Sequence, residues 1–250
     1  MLAFARETHL SETAFVQPAT DARADYRNRI FDPRQELPFA GHPSLGTAVA
    51  VARERREREA EYVQQTPAGL QPVRVEIDGA RVSASMLQEP AVFGSLLDPE
   101  AVLPTAGLSG SDADPRLPAQ VVSTGVPQVL APVSSVDALA RARPDWAAIE
   151  GLLDAHDAIV LYLAHCDPQT GAARARAFTH SADMGEDPGT GSAAGPLCAH
   201  LHAHGAGDAV EIVQGVEMGR RSVLRCRFEG DRVRVAGDVV VVAEGSVHLP

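Results

Sequence analysis

The chain has 250 residues, of which 45% are apolar and 22% charged, enough for a real buried core in one large domain or two small ones. Its net charge of −11 argues against nucleic acid or an anionic membrane surface as the main partner. No lysine is present, all 22 basic residues being arginine, which excludes pyridoxal and Schiff-base enzymes because both need a lysine amine.

The opening Met1-Leu-Ala-Phe-Ala-Arg-Glu7 carries charges where a signal peptide needs an uninterrupted apolar stretch. No apolar run approaches the roughly 20 residues that span a bilayer, so a cytoplasmic protein is expected. Strands are predicted over 13–17 and 26–31, with a polar turn at 20–23 between them. A first glycine loop follows, Glu36-Leu-Pro-Phe-Ala-Gly-His-Pro-Ser-Leu-Gly-Thr-Ala48, then a helix over 44–59. Its charged end, Arg53-Glu-Arg-Arg-Glu-Arg-Glu59, reads as a solvated last turn. Further strands are predicted over 62–65, 73–77 and 81–86, the last two joined by an Asp78-Gly79 hairpin turn.

The Pro-, Gly- and Asp-rich stretch 89–118 is the expected boundary region, holding one short helix. Strands at 120–123 and 128–132, helices at 136–143 and 146–154, and strands at 158–164 and 172–179 come next, the last pair flanking an Asp167-Pro-Gln-Thr-Gly171 turn. The second glycine loop, Gly185-Glu-Asp-Pro-Gly-Thr-Gly-Ser-Ala-Ala-Gly195, leads into a helix ending near His204. Strands at 210–213, 222–228, 232–236 and 239–242 close the chain.

Each half therefore runs strands, glycine loop, helix, strands, with Gly-x-x-Ser cores at Gly41–Ser44 and Gly189–Ser192. This is an α+β pattern with internal pseudo-symmetry. A glycine loop lets backbone approach a ligand closely, and the helix behind it offers free N–H groups and a positive dipole end to an anion. Finding the device twice suggests a small-molecule carboxylic acid clasped between two halves.

The candidate chemical groups lie in or near these loops. Asp187 is either a helix cap or a carboxylate aimed at the ligand, its pKa raised by burial. His42, at a helix entrance, suits substrate orientation or proton exchange near neutral pH. Glu12 is a turn carboxylate or a base. Ser44 and Ser192 are helix caps or ligand hydroxyls, and Gly41, Gly189 and Gly191 supply loop backbone. His200-Leu-His-Ala-His204 looks like a metal tract but lacks a carboxylate at a known spacing, so an exposed helix end is expected there and no metal. Cys166, Cys198 and Cys226 are expected to be free core thiols. Neither loop contains a cysteine, which rules out the chemistry of two-thiol racemases.

Five segments carry a resemblance: Leu10-Ser-Glu-Thr-Ala-Phe15; Arg29-Ile-Phe31; Glu36-Leu-Pro-Phe-Ala-Gly-His-Pro43 with Leu45-Gly-Thr-Ala48; Glu186-Asp-Pro-Gly-Thr-Gly-Ser-Ala-Ala-Gly-Pro-Leu197; and Gln214-Gly-Val-Glu-Met-Gly-Arg220. In this order they resemble the PhzF family of phenazine-biosynthesis isomerases, which share the diaminopimelate epimerase fold. The second loop and the Gln-Gly-Val-Glu segment look especially like the phenazine enzyme itself.

The resemblance implies two pseudo-symmetric domains, each a curved, mostly antiparallel sheet around a central helix, with the active site in the cleft between them. The domains are expected at 1–92, completed by 244–250, and at 93–243. It also implies that Glu12 is the proton shuttle, that His42 and Asp187 bind and orient substrate, and that Ser192 lines the pocket. The implied reaction is isomerisation of trans-2,3-dihydro-3-hydroxyanthranilic acid, with no cofactor or metal, in a homodimer. An isomerase or epimerase for another amino or hydroxy acid, or an inactive binding protein, are the alternatives.

Two departures stand out. His9 replaces the Asn usual before Leu-Ser-Glu, which is expected to alter hydrogen bonding around the shuttle. Family members also begin further upstream, with a strand that this chain lacks, so an open edge and either a misplaced start or a truncated, poorly folding form are expected.

Overall fold

The same strand-pairing scheme is used twice along the chain. The computed structural model describes residues 1–167, 170–180, 182–183 and 185–247, and these divide into two units. The first comprises Met1–Met86 with the segment from Gly237 on, the second Leu87–Ala236.

The first unit opens with helix α1 (Leu2–Thr8), followed by β1 (Thr13–Gln17), β2 (Tyr26–Phe31), β3 (Glu36–Leu37), α2 (Gly41–Arg55), β4 (Glu59–Thr66), β5 (Gly69–Asp78) and β6 (Arg81–Leu87). Its strands lie in the order β1-β2-β4-β5-β6, with β3 on β2. Strand β2 is antiparallel to β1 and β3 and parallel to β4, while β4, β5 and β6 are antiparallel neighbours. Alternation in β5 puts Val73 and Val75 inward and Arg74 and Glu76 outward, the two-residue period of a half-buried strand. The inward residues meet Ala48, Val49, Val51 and Ala52 of α2, together with Tyr26 and Tyr62. Helix α1 docks through Phe4 onto Phe15, which stacks edge-on against Phe31.

The second unit contains β7 (Val92–Leu97), α3 (Pro99–Val102), β8 (Ala119–Ser123), β9 (Pro127–Pro132), α4 (Val136–Arg141), α5 (Trp146–Ala155), β10 (Val160–Asp167), β11 (Ala172–Thr179), β12 (Glu186–Asp187), α6 (Gly191–Ala203), β13 (Ala209–Gln214), β14 (Ser222–Glu229) and β15 (Arg232–Asp238). The order is β15-β14-β13-β11-β10-β9-β8-β7, with β12 on β11. Strand β11 is antiparallel to β10 and β12 and parallel to β13, and β13 is antiparallel to β14. This repeats the pairing of β1 through β5. Every residue from Ala193 to Leu201 of α6 is buried, and the helix touches β8, β9, β13 and β14. A helix buried all round needs small apolar residues, and the Ser-Ala-Ala-Gly start of α6 supplies them. The fold is α+β, as expected.

Several expected elements need correction. No strand forms over 239–242: after Val239 N–H donates to the Val82 carbonyl at 2.8 Å the pairing stops. Val240 and Val242 are then 80% and 93% exposed, because a run of four valines without a partner strand has nothing to pair with. Helix α2 starts at Gly41, not 44, and ends at Arg55, where Arg56 turns left-handed at φ 59°. Amides of Arg56 and Glu57 bond back to Arg53 and Ala52, closing the end as a left-handed cap does. The charge run is solvated but spans a helix end, a turn and the start of β4. The boundary stretch holds strand β7, whose apolar pattern is broken by Gly94 and Ser95 and whose register shifts between Phe93 and Leu96.

His200 is fully buried, not at an exposed helix end, and only His202 and His204 face solvent. Burial first, and His204 second, push its imidazole pKa down to about 4, so it is a neutral core residue. The three cysteines are free and buried. Pro168 and Gln169 of the predicted turn, and 248–250 of the predicted completing segment, lie outside the described residues. Among the described residues no helix is long and apolar enough to cross a membrane.

Candidate active site

In the first unit, α1 ends on His9, left-handed at φ 51°, whose N–H returns to the Ala5 carbonyl. Asparagine also favours that conformation, so the replacement at position 9 falls on a residue set by backbone geometry. Glu12 follows at the entrance to β1, and His42 is the second residue of α2. Nε2 of His42 lies 3.1 Å from Oε2 of Glu12, an ion-pair distance, with side-chain exposures of 66% and 21%. Oε2 is buried, and the His42 ring is the group that stands within hydrogen-bond distance of it.

His42 holds the Glu12 carboxyl below the ordinary carboxylate value of 4.5; burial opposes it and Ser11 assists. Glu12 is therefore ionised at neutral pH, contrary to a carboxylate whose burial dominates. Because the folded value is depressed, the pair contributes fully to stability above 4.5. That contribution disappears as pH falls through the folded value. Replacing His42 by Asn leaves burial as the main influence. A carbon-13 NMR titration of the Glu12 carboxyl is then expected to place its midpoint below 4.5 in the wild type and above the wild-type value in His42→Asn. An unchanged midpoint would remove His42 as the cause.

The loop carrying His42 is anchored from behind. Arg29 of β2 makes a two-pronged pair with Glu36 of β3, at 2.8 and 2.6 Å. The N-cap of α2 is Ala40, which has no side chain able to cap. Ser44 is buried, and its hydroxyl donates to the Ala40 carbonyl at 2.7 Å, so it is not a helix cap. The positive end of α2 is thus left uncapped beside His42. A Cβ at Gly41 would meet nothing within 4 Å.

In the second unit the anchoring is the same. Arg176 of β11 pairs with Glu186 of β12 at 2.9 and 2.8 Å, and Asp187 follows, opposite Ala177 of β11. The N-cap of α6 is Thr190, not Asp187, which settles against a capping role for Asp187 on this helix. Its Oδ2 accepts from the Thr190 hydroxyl at 2.6 Å, and its Oδ1 lies 3.5 Å from the Gly189 N–H. No side chain caps α6 either. Ser192 is half-buried at the second helical position. Gly191 has open space where a Cβ would stand, whereas a Cβ at Gly189 would crowd Ser222 at 3.1 Å.

Thus Glu12 is brought to His42 in one unit, and Asp187, Gly189, Gly191 and Ser192 share one loop in the other. Five residues holding these loops were given no role by sequence reasoning: Arg29, Arg176, Gln88, Thr190 and Gln214. Gln88 donates to the Gly191 carbonyl at 2.8 Å, and a Cβ at Gly195 would lie 1.7 Å from its Oε1. The signal for the two arginines was present: Arg-x-Phe occurs at Arg29–Phe31 and Arg176–Phe178, each time ahead of the glutamate it pairs with. In both copies the guanidinium also lies over the phenylalanine ring, at 5.2 and 4.9 Å. Among the described residues no group of three or more His, Cys, Asp or Glu side chains is placed to hold a metal ion.

Comparison with known proteins gives a consistent result. The family model described as phenazine biosynthesis-like protein, PhzC-PhzF, matches residues 1–245. A trans-2,3-dihydro-3-hydroxyanthranilate isomerase from Pseudomonas aeruginosa is 38% identical over 260 residues, covering 100% of this chain and 88% of its own length. The structure of a predicted epimerase from Pseudomonas aeruginosa is 32% identical with a TM-score of 0.82, over 100% of this chain and 88% of that one. A probable proline racemase from Agrobacterium radiobacter, 16% identical with a TM-score of 0.61 over 96% of this chain and 76% of that one, shares the fold.

Proposed function

This chain belongs to the phenazine biosynthesis-like (PhzC-PhzF) family and is an isomerase, and from that premise we propose that it isomerises trans-2,3-dihydro-3-hydroxyanthranilate to its aminoketone isomer. The observation that carries the reading is Glu12. It is a half-buried carboxylate kept ionised by His42 and set near the uncapped start of α2. An ionised carboxylate of this kind takes a proton from carbon and, once protonated, returns it.

In the proposed reaction Glu12 removes the hydrogen at C3 of the ring as a proton. The C–H electron pair enters the ring, the double bonds shift, and Glu12 delivers the proton to another ring carbon. The enol formed then becomes the ketone. Electrons and atoms balance within the substrate, so the step calls for no co-reactant. His42 offsets charge as it moves on and off Glu12. Asp187 accepts a hydrogen bond from a polar substrate group, and the open backbone at Gly191 with the Ser192 hydroxyl offers donors to a carboxylate, as the open backbone at Gly41 does at the start of α2. The likeness to a trans-2,3-dihydro-3-hydroxyanthranilate isomerase, at 38% identity, supports this substrate.

Purified protein is expected to consume trans-2,3-dihydro-3-hydroxyanthranilate, followed by loss of its ultraviolet absorbance. Product formed in heavy water and examined by mass spectrometry then reports whether the migrating hydrogen is the substrate's own. Folded protein without turnover would move the assignment to another amino or hydroxy acid.

A further inference from the structure

Behind the second glycine loop a hydrogen-bonded chain runs from the core to Asp187. We propose that Thr190 and Gln214 are positioning residues that fix how the Asp187 carboxylate meets substrate, an inference that rests on Asp187 being a substrate-binding group.

Gln214, the last residue of β13, is fully buried and makes four hydrogen bonds. Its Nε2 donates to the Asp187 carbonyl at 2.6 Å and to the Thr190 hydroxyl at 2.9 Å. Its Oε1 accepts from the Thr190 N–H at 3.2 Å and from the buried Tyr162 hydroxyl at 2.9 Å. An amide has two donors and about two acceptor sites, so the side chain is saturated. It is also locked in direction. Reversing the amide would face NH2 against the Thr190 N–H and C=O against the Asp187 carbonyl, and neither backbone group can invert its role.

The direction then propagates. The Thr190 oxygen accepts a hydrogen bond from Gln214, and its own hydrogen is donated to Oδ2 of Asp187, 2.6 Å away. A bond from a hydroxyl to a carboxylate is of the strong, charge-assisted kind. The Thr190 hydroxyl thereby takes one site on Oδ2, and Oδ1, which among the described residues has a 3.5 Å approach from Gly189, is the more open oxygen to accept from a ligand. Thr190 is also the N-cap of α6, where a threonine hydroxyl normally accepts from the helix. Here it is turned away, and the first amides of α6 have no side-chain cap. One hydroxyl thus orients the carboxylate and leaves the helix start open. Gly215 completes the support: at φ 75° its absent Cβ would stand 2.9 Å from the Pro188 carbonyl and 2.3 Å from that of Arg220.

The test compares Thr190→Ser, Thr190→Val, Gln214→Met and the Val/Met double variant, with kcat and KM measured separately on trans-2,3-dihydro-3-hydroxyanthranilate at a temperature where each is folded. Thr190→Ser is expected to stay within about twofold of wild type. Thr190→Val and Gln214→Met are each expected to lose about 10- to 100-fold in kcat/KM, the scale of a lost bond to a charged group. The double variant should lose no more than the worse single, since both act along one chain. A lower melting temperature with unchanged kcat/KM in Thr190→Val, or additive losses, would overturn the proposal. Should Gln214→Met not fold, the Val-against-Ser comparison at 190 decides. Should wild type not turn over this substrate, the substrate reading fails separately. Hydrogen exchange then decides: faster exchange of the amides over 187–191 in Thr190→Val than in Thr190→Ser supports the chain, and equal exchange overturns it.

Discussion

Glu12→Gln is expected to lower kcat about a thousandfold while KM stays within a few-fold of wild type. Glutamine keeps the shape of the side chain and an oxygen for His42, so the 3.1 Å contact survives as a hydrogen bond. What is lost is the ability to take and return a proton. General acid–base groups contribute about 10²- to 10⁴-fold, and a thousandfold is about 4 kcal/mol of barrier. The loss belongs in the upper part of that range, because the same carboxylate serves both the removal and the delivery. KM is spared because Glu12 acts on a C–H bond, not on the groups that hold the substrate. Glu12→Asp draws the carboxylate back by one methylene from both His42 and the ring, and an intermediate kcat is expected. Steady-state kinetics on the purified variants checks this. A Glu12→Gln enzyme with more than a tenth of wild-type kcat would show that another group carries the proton.

The resemblance gave Glu12 and His42 separate roles, and that the two side chains meet was not legible in the sequence, for a physical reason. They are separated by β1, β2 and β3, and pairing at that separation leaves no local periodicity to read. The glycine loops were legible directly, since Gly, Pro and small residues before an Ala-rich run have few other uses. So was the internal repeat, and the matching pairings around β2 and β11 give it structural content. Asp187 shows a limit of local reading. Asp ahead of a helix suggests a cap, yet the helix starts at Gly191 with Thr190 as N-cap, and Asp187 is set by pairing with β11. Val239–Val242 shows another: a β-branched run makes a strand only where a neighbour offers its edge. His200 hid in a tract whose other two histidines are solvated: His202 lies on the opposite face of the helix, and His204 is its C-cap, past the last helical residue.

The second large effect is structural and separates the two copies of the repeat. Arg176→Met is expected to destabilise the protein by about 3–5 kcal/mol, the range for removing one partner of a buried ion pair. Arg176 and Glu186 have side-chain exposures of 7% and 13%. Besides both carboxylate oxygens, the guanidinium serves the Leu139 and Ala142 carbonyls, each at 2.9 Å. Methionine fills the space but leaves the carboxylate and both carbonyls without these donors. Lysine is not expected to rescue, since one ammonium cannot span four acceptors laid out for a planar fork. In the first unit Arg29 and Glu36 form the same pair with exposures of 27% and 29%, where water can replace a lost partner. Arg29→Met should therefore cost much less, within about 1 kcal/mol. Removing the orphaned charge with Arg176→Met/Glu186→Gln is expected to recover part of the loss. Denaturant unfolding of the four variants and wild type measures all of these. Equal losses for Arg29→Met and Arg176→Met would show that burial does not distinguish the two anchors. The ordering expected from the exposures makes the second glycine loop the one that can be unseated by a single substitution far from its own residues.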